Sequence, residues 1–109
     1  MQRMAHIIGL KPEHQAEYIR LHADVWPDVL ERLRASNITN YSIFLREPEM
    51  LMFSYWEYTG SDFQADNAAI AADPVTREWW ALCGPMQAPL QSRAEGEWWA
   101  SAREVFHLP

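Results

Sequence analysis

The chain has 109 residues, 49% of them hydrophobic and 22% charged, a balance that fits one compact domain over 1–109 and neither a disordered tail nor a membrane protein. Two domains would have about 55 residues each, near the size at which a core needs disulfides or a metal. Acids outnumber bases 15 to 9, the formal net charge is −6 and Lys11 is the only lysine, so the clustered positive surface that nucleic acid requires is not expected.

In chain order, the apolar stretch from Met4 to Leu10 reads as a first strand. Lys11-Pro12-Glu13 then opens a helix, with the proline where a missing N–H costs little. Tyr18, Leu21, His22, Val25, Val29 and Leu33 recur at helical spacing. Pro27 falls inside that pattern and should kink or restart the helix, with Trp26 held out of the α region by the proline that follows it. From Asn37 to Arg46 the chain alternates, with Tyr41, Ile43 and Leu45 on one face and Asn40, Ser42, Phe44 and Arg46 on the other. Glu47-Pro48-Glu49 links this strand to a second from Met50 to Tyr58, which makes a hairpin. In that second strand Leu51, Phe53 and Tyr55 share one face and Met52, Trp56 and Tyr58 the other. Ser61-Asp62-Phe63-Gln64 has capping-box spacing for a helix through about Ala72. Asp73-Pro74 repeats the start signal for a helix carrying Trp79-Trp80, which Gly84-Pro85 ends. Met86 to Gly96 reads as a long loop and Ser101 to Leu108 as a closing strand.

The order β-α-β-β-α-α-β predicts a ferredoxin-like α+β fold (βαββαβ) with an antiparallel sheet. Helices cover one face of such a sheet. Both faces of this hairpin are apolar, so the second face needs cover as well, and the simplest cover is another copy of the chain. A homodimer of the dimeric α/β-barrel type is therefore expected. The apolar part of the N-terminus is too short for a signal peptide, no stretch reaches the length of a membrane span, and the lone cysteine, Cys83, suits a reducing compartment. The cytoplasm is the expected location.

Tyr18 and His22 stand four residues apart, on one helix face. An imidazole titrates near neutrality and a phenol can orient it or hold a hydroxyl, so the pair suits proton transfer, although a buried pair of this kind also serves a core. His6, His14 and His107 include no i,i+4 pair and no H-x-H, so no metal site is expected. Six tryptophans are many for this length, and four of them form adjacent pairs, Trp79-Trp80 and Trp98-Trp99. Neighbouring side chains point to different faces, so one of each pair is free to line a binding surface or a subunit interface. Tyr41 shares its strand face with Ile43 and Leu45, and Glu57, between Trp56 and Tyr58, must be paired, solvated or functional. The sequence holds no phosphate-binding glycine loop, nucleophile elbow or dinucleotide fingerprint.

In order, these pieces resemble the L-rhamnose mutarotase family. The resemblance is carried by Tyr18-x-x-x-His22-x-x-x-Trp26-Pro27, Asn40-Tyr41-Ser42-Ile43-Phe44-Leu45, Phe53-x-x-x-Glu57, Trp79-Trp80 and the ending Glu104-Val105-Phe106-His107-Leu108-Pro109. It implies a dimeric ferredoxin-like isomerase that interconverts the α and β anomers of L-rhamnose without cofactor or metal. By the same resemblance His22 is the proton-transfer residue, and Tyr18, Tyr41, Trp79 and Trp80 bind the sugar. His107 stands where the family ending usually has tyrosine, Glu78 precedes the tryptophan pair, and Ala94 to Trp99 is unusually acidic and aromatic. These departures keep a related 6-deoxyhexose such as L-fucose open. Two rival readings of the same residues are a cofactor-free or haem-binding monooxygenase of the dimeric α/β-barrel type and a non-catalytic sugar binder.

Overall fold

The computed structural model describes all of residues 1–109. Strand β1 (Gln2–Leu10) is the hub of a single antiparallel sheet. After a 3-10 turn at Pro12–His14 come helices α1 (Gln15–His22) and α2 (Pro27–Ala35). The break between the helices is the one Pro27 predicts: Trp26 takes φ −54° and ψ 128°, an extended conformation, and Pro27 starts α2. Strands β2 (Ile38–Arg46) and β3 (Leu51–Tyr58) form the expected hairpin, and β3 pairs along nearly all of β1.

Helix α3 (Phe63–Ala72) starts one residue later than the capping-box spacing suggests. Asp62 is its cap, with the carboxylate accepting from the Ala65 N–H at 3.2 Å, and not Ser61. Helix α4 (Pro74–Cys83) begins as read: Asp73 accepts from the Thr76 N–H at 2.9 Å and from its hydroxyl at 2.7 Å.

The closing strand differs from the expectation. Two short segments, β4 (Gln87–Ala88) and β5 (Ala100–Ala102), share the free edge of β1, and the loop between them spans residues 89–99. Ala102 already pairs with Ala5, so β1 ends a few positions further along. Arg3 still grips Glu104 at 2.6 Å, but Val105, Phe106 and Leu108 have passed the paired edge and stay exposed. Alternation alone cannot reveal that the partner strand runs out. The segment Gln87–Ala88, read as loop, pairs because Gly9 lets it approach: a Cβ on Gly9 would meet the Ala88 carbonyl oxygen at 2.7 Å.

The helices cover one sheet face and close the main core there, from Ile8, Leu10 and Met52 on the sheet to Tyr18, Val29, Trp79 and Cys83 on the helices. A second cluster, Ile38, Tyr58 and Ile70, packs under α3. The opposite sheet face carries Phe44 and Phe53 directly across from each other, 64% and 40% exposed. No helix is long and apolar enough to cross a membrane.

Candidate active site

A cavity of about 730 Å³ opens between the helices and the sheet, within the size range of small-molecule sites. All five residues singled out from the sequence line it: Tyr18 and His22 from α1, Tyr41 from β2, and Trp79 and Trp80 from α4. Of the 22 lining residues 15 are hydrophobic, so the walls suit a ligand with an apolar face.

Each side chain is delivered by a local feature of the chain. The i,i+4 spacing on α1 stacks the His22 ring on Tyr18, with centroids 4.1 Å apart and planes at 18°. His22 Nδ1 lies 2.9 Å from the Tyr18 carbonyl oxygen. A carbonyl only accepts, so Nδ1 carries the proton and Nε2 keeps its lone pair. Desolvation holds the His22 pKa below its ordinary 6.5, partly countered by that backbone hydrogen bond, so the ring is neutral at pH 7 with Nε2 as a free base.

Tyr41 reaches the cavity from a bulge. Thr39 pairs with Glu57 and Ser42 with Tyr55, so Asn40 and Tyr41 together oppose Trp56. Asn40 takes the positive φ of 50° that the bulge demands, a conformation asparagine tolerates better than most residues. Its side chain donates to Glu57 at 3.2 Å, and Glu57 also accepts from the Tyr55 hydroxyl at 2.6 Å. Those bonds, the Tyr55 one foremost, hold the Glu57 carboxyl below the usual carboxylate range. Glu57 is thus paired on the sheet face away from the cavity and takes no part in it.

The adjacent indoles diverge, as neighbours on a helix must. Trp79 is 6% exposed and meets His22 edge-on at 5.2 Å and Trp26 at 5.1 Å, while Trp80 lies half exposed at the cavity rim. Cys83 also lines the cavity, but burial pushes its thiol up to about 11, so it stays protonated and is no nucleophile.

Several lining residues lie outside the five expected from the sequence. His6 and Trp56 stack with centroids 5.7 Å apart and planes at 7°, forming one wall from neighbouring strands. They are diagonal neighbours, His6 opposite Ser54 and Trp56 opposite Met4, a relation that exists only once β1 and β3 are in register. Gln87, Trp98 and Trp99 line another part, brought in by β4 and the loop after it. Only the excess of tryptophan hinted at the last two.

The chain matches the L-rhamnose mutarotase family profile over residues 3–108. The chain belongs to the L-rhamnose mutarotase family. Relatives named L-rhamnose mutarotase include one from Listeria monocytogenes serovar 1/2a, 35% identical, and one from Opitutus terrae, 33% identical, each alignment covering 99% of both chains. The crystal structure of L-rhamnose mutarotase from Formosa agariphila superposes with a TM-score of 0.79, covering 100% of both chains at 19% identity, and so supports the ferredoxin-like α+β fold. Within this family member, the five residues to which the resemblance assigns a role converge on one cavity, whereas Glu57 and the C-terminal ending, which belong to the same motifs, lie outside it.

Proposed function

We propose that the protein is a mutarotase that interconverts the α and β anomers of L-rhamnose by acid–base catalysis centred on His22. The reading rests on family membership over nearly the whole chain and on one observation in particular: Nδ1 of His22 is committed to a backbone carbonyl, which leaves Nε2 basic inside the cavity.

Anomerisation needs a proton taken from the anomeric hydroxyl and one given to the ring oxygen. Both oxygens are bonded to C1, so a single imidazole nitrogen can serve both in turn. Neutral Nε2 accepts the hydroxyl proton as the C1–O5 bond breaks to give the open aldehyde. The imidazolium so formed returns that proton to O5, C1 rotates about its bond to C2, and the reverse sequence closes the ring on the other face. Tyr18 and Tyr41 hold sugar hydroxyls, and the indoles of Trp79 and Trp80 pack on the C–H face and the methyl group of the deoxysugar. The test is α/β saturation transfer by NMR on L-rhamnose, with L-fucose and D-glucose alongside. Acceleration of L-rhamnose exchange is expected. Acceleration of L-fucose alone would move the substrate, and none with any sugar would overturn the reading.

A pH prediction follows from the lowered His22 pKa. Above 6.5 the base form dominates in the free enzyme and kcat/KM levels off; as pH falls through the lower folded value, kcat/KM drops with the loss of the neutral ring. Stability moves with the same sign. The unfolded chain takes up a proton near 6.5 and the native state resists it, for His22 and for the desolvated His6 alike, so stability is full above 6.5 and declines in more acid solution. A kcat/KM profile and urea midpoints between pH 5 and 8 check both.

The same reading includes a homodimer in which a second copy covers the sheet face bearing Phe44 and Phe53, and action in the cytoplasm, where a lone thiol such as Cys83 stays reduced. Light scattering should give twice the chain mass of 12.7 kDa. Phe44→Glu combined with Phe53→Glu should give the single mass with an unchanged circular dichroism spectrum. A wild-type monomer at micromolar concentration would refute the dimer.

A further inference from the structure

We propose that Gln87 and Trp98 are positioning residues that aim the Tyr18 hydroxyl proton into the sugar cavity. The functional part of this proposal rests on the mutarotase reading; the geometric part does not. The Trp98 indole Nε1 donates to Gln87 Oε1 at 2.7 Å, and Gln87 Nε2 donates to the Tyr18 hydroxyl oxygen at 3.0 Å. The direction of this chain is forced at its outer end. An indole N–H can only donate, so the amide atom facing it is the carbonyl oxygen. The amide NH2 must then face Tyr18, and an NH2 cannot accept. The phenol oxygen is therefore an acceptor on that side, and its own proton points elsewhere.

No other protein group takes that proton, and Tyr18, Gln87 and Trp98 all line the same cavity. The hydroxyl is thus a pre-aimed donor for an oxygen of the bound sugar, beside the His22 base stacked on the same ring. Of the two positioning residues, Gln87 is the one built into the fold. Gln87 is 8% exposed and is held by the pairing of β4 with β1, opposite Leu10. Trp98, half exposed, lies near the end of the 89–99 loop, whose turn is tied by the Ala94 N–H donating to the Glu97 carboxylate at 2.9 Å. Neither residue belongs to the motifs that carry the family resemblance, and Trp98 lies in the stretch from Ala94 to Trp99 that departs from it.

The test compares Gln87→Met, Gln87→Glu and Trp98→Phe by anomer-exchange kinetics. Gln87→Met keeps the volume and removes the donor; kcat should fall about 10- to 100-fold with KM within about twofold, the scale of a mis-aimed reacting group. Gln87→Glu is the closer shape match, yet its carboxylate accepts from both Trp98 and Tyr18 and pulls the phenol proton out of the cavity. Its kcat should therefore fall further than that of Gln87→Met. Trp98→Phe removes only the outer donor and should give a smaller loss, and it carries the kinetic test if the Gln87 variants fail to fold. Independently of activity, the Trp98 indole N–H resonance should exchange slowly in the wild type and rapidly in Gln87→Met. Full kcat in Gln87→Met and Trp98→Phe, or a milder effect of Glu than of Met, would overturn the positioning role while leaving the mutarotase reading intact. A wild type inactive on every sugar would overturn that reading and the role together, and a rapidly exchanging wild-type indole would overturn the geometry itself.

Discussion

His22→Ala is expected to lose at least about 100-fold in kcat on L-rhamnose while keeping its fold, the loss that removal of a positioned acid–base group commonly brings. The fold should survive because His22 is half-buried at the end of α1 and no strand or cap depends on it. Its one hydrogen bond returns to the carbonyl of Tyr18 on the same helix, and that carbonyl loses little when the ring goes. The rate should not survive, because no other basic group is poised in the same way. His6 lines the cavity, but its ring lies flat against Trp56 on the sheet wall and does not stack on Tyr18. Cys83 remains a thiol and Glu57 faces the other side of the sheet. Saturation transfer measured beside circular dichroism and light scattering separates a lost base from a lost fold. Wild-type turnover in a folded His22→Ala would remove His22 from the mechanism.

Trp79→Ala is expected to cost about 3–5 kcal/mol of stability, the usual cost of deleting a buried indole, and with it most of the sugar affinity. Trp79 is 6% exposed in the main core cluster and holds two other rings edge-on, Trp26 at the α1–α2 break and His22. Its removal opens a void where three elements meet, and neither the proline-started α2 nor the stacked Tyr18–His22 pair can shift far to fill it. Trp80→Ala should behave oppositely. That ring is 49% exposed at the rim, so the urea midpoint should barely move while KM for the sugar rises several-fold. A pair of equal stability losses would mean that both indoles serve the core. A pair of unchanged saturation curves would remove both from the sugar site.

These two residues also show how far the sequence could be read. Trp79-Trp80 announced that something aromatic faces a ligand or a partner, because adjacent residues on a helix cannot both enter the core. Which of the two goes inside depends on the rotation of α4 against α2 and the sheet, a tertiary quantity. The pairing of Tyr18 with His22 was legible because it is local: four residues on one helix are neighbours whatever the rest of the chain does. The tautomer of His22 followed only from the distance between Nδ1 and the carbonyl, and its lowered pKa only from burial.

Spacing, start signals and the Trp26-Pro27 break determined by themselves the kind and order of the main elements, because each depends on backbone preferences within a few residues. The sequence also carried the family and the five residues expected in the site. The tertiary structure alone decided three other things. It shortened the closing strand, because the register of Ala102 opposite Ala5 leaves little of β1 to pair with. It brought Gln87 out of an apparent loop, because Gly9 admits the Ala88 backbone. It joined Trp98, Gln87 and Tyr18 into one hydrogen-bonded chain across 11 and 69 residues of sequence separation. Such contacts leave no periodic signal. They depend on side chains that meet only after the sheet has paired, and a hydrogen bond between distant residues is set by that pairing and not by the preference of either one.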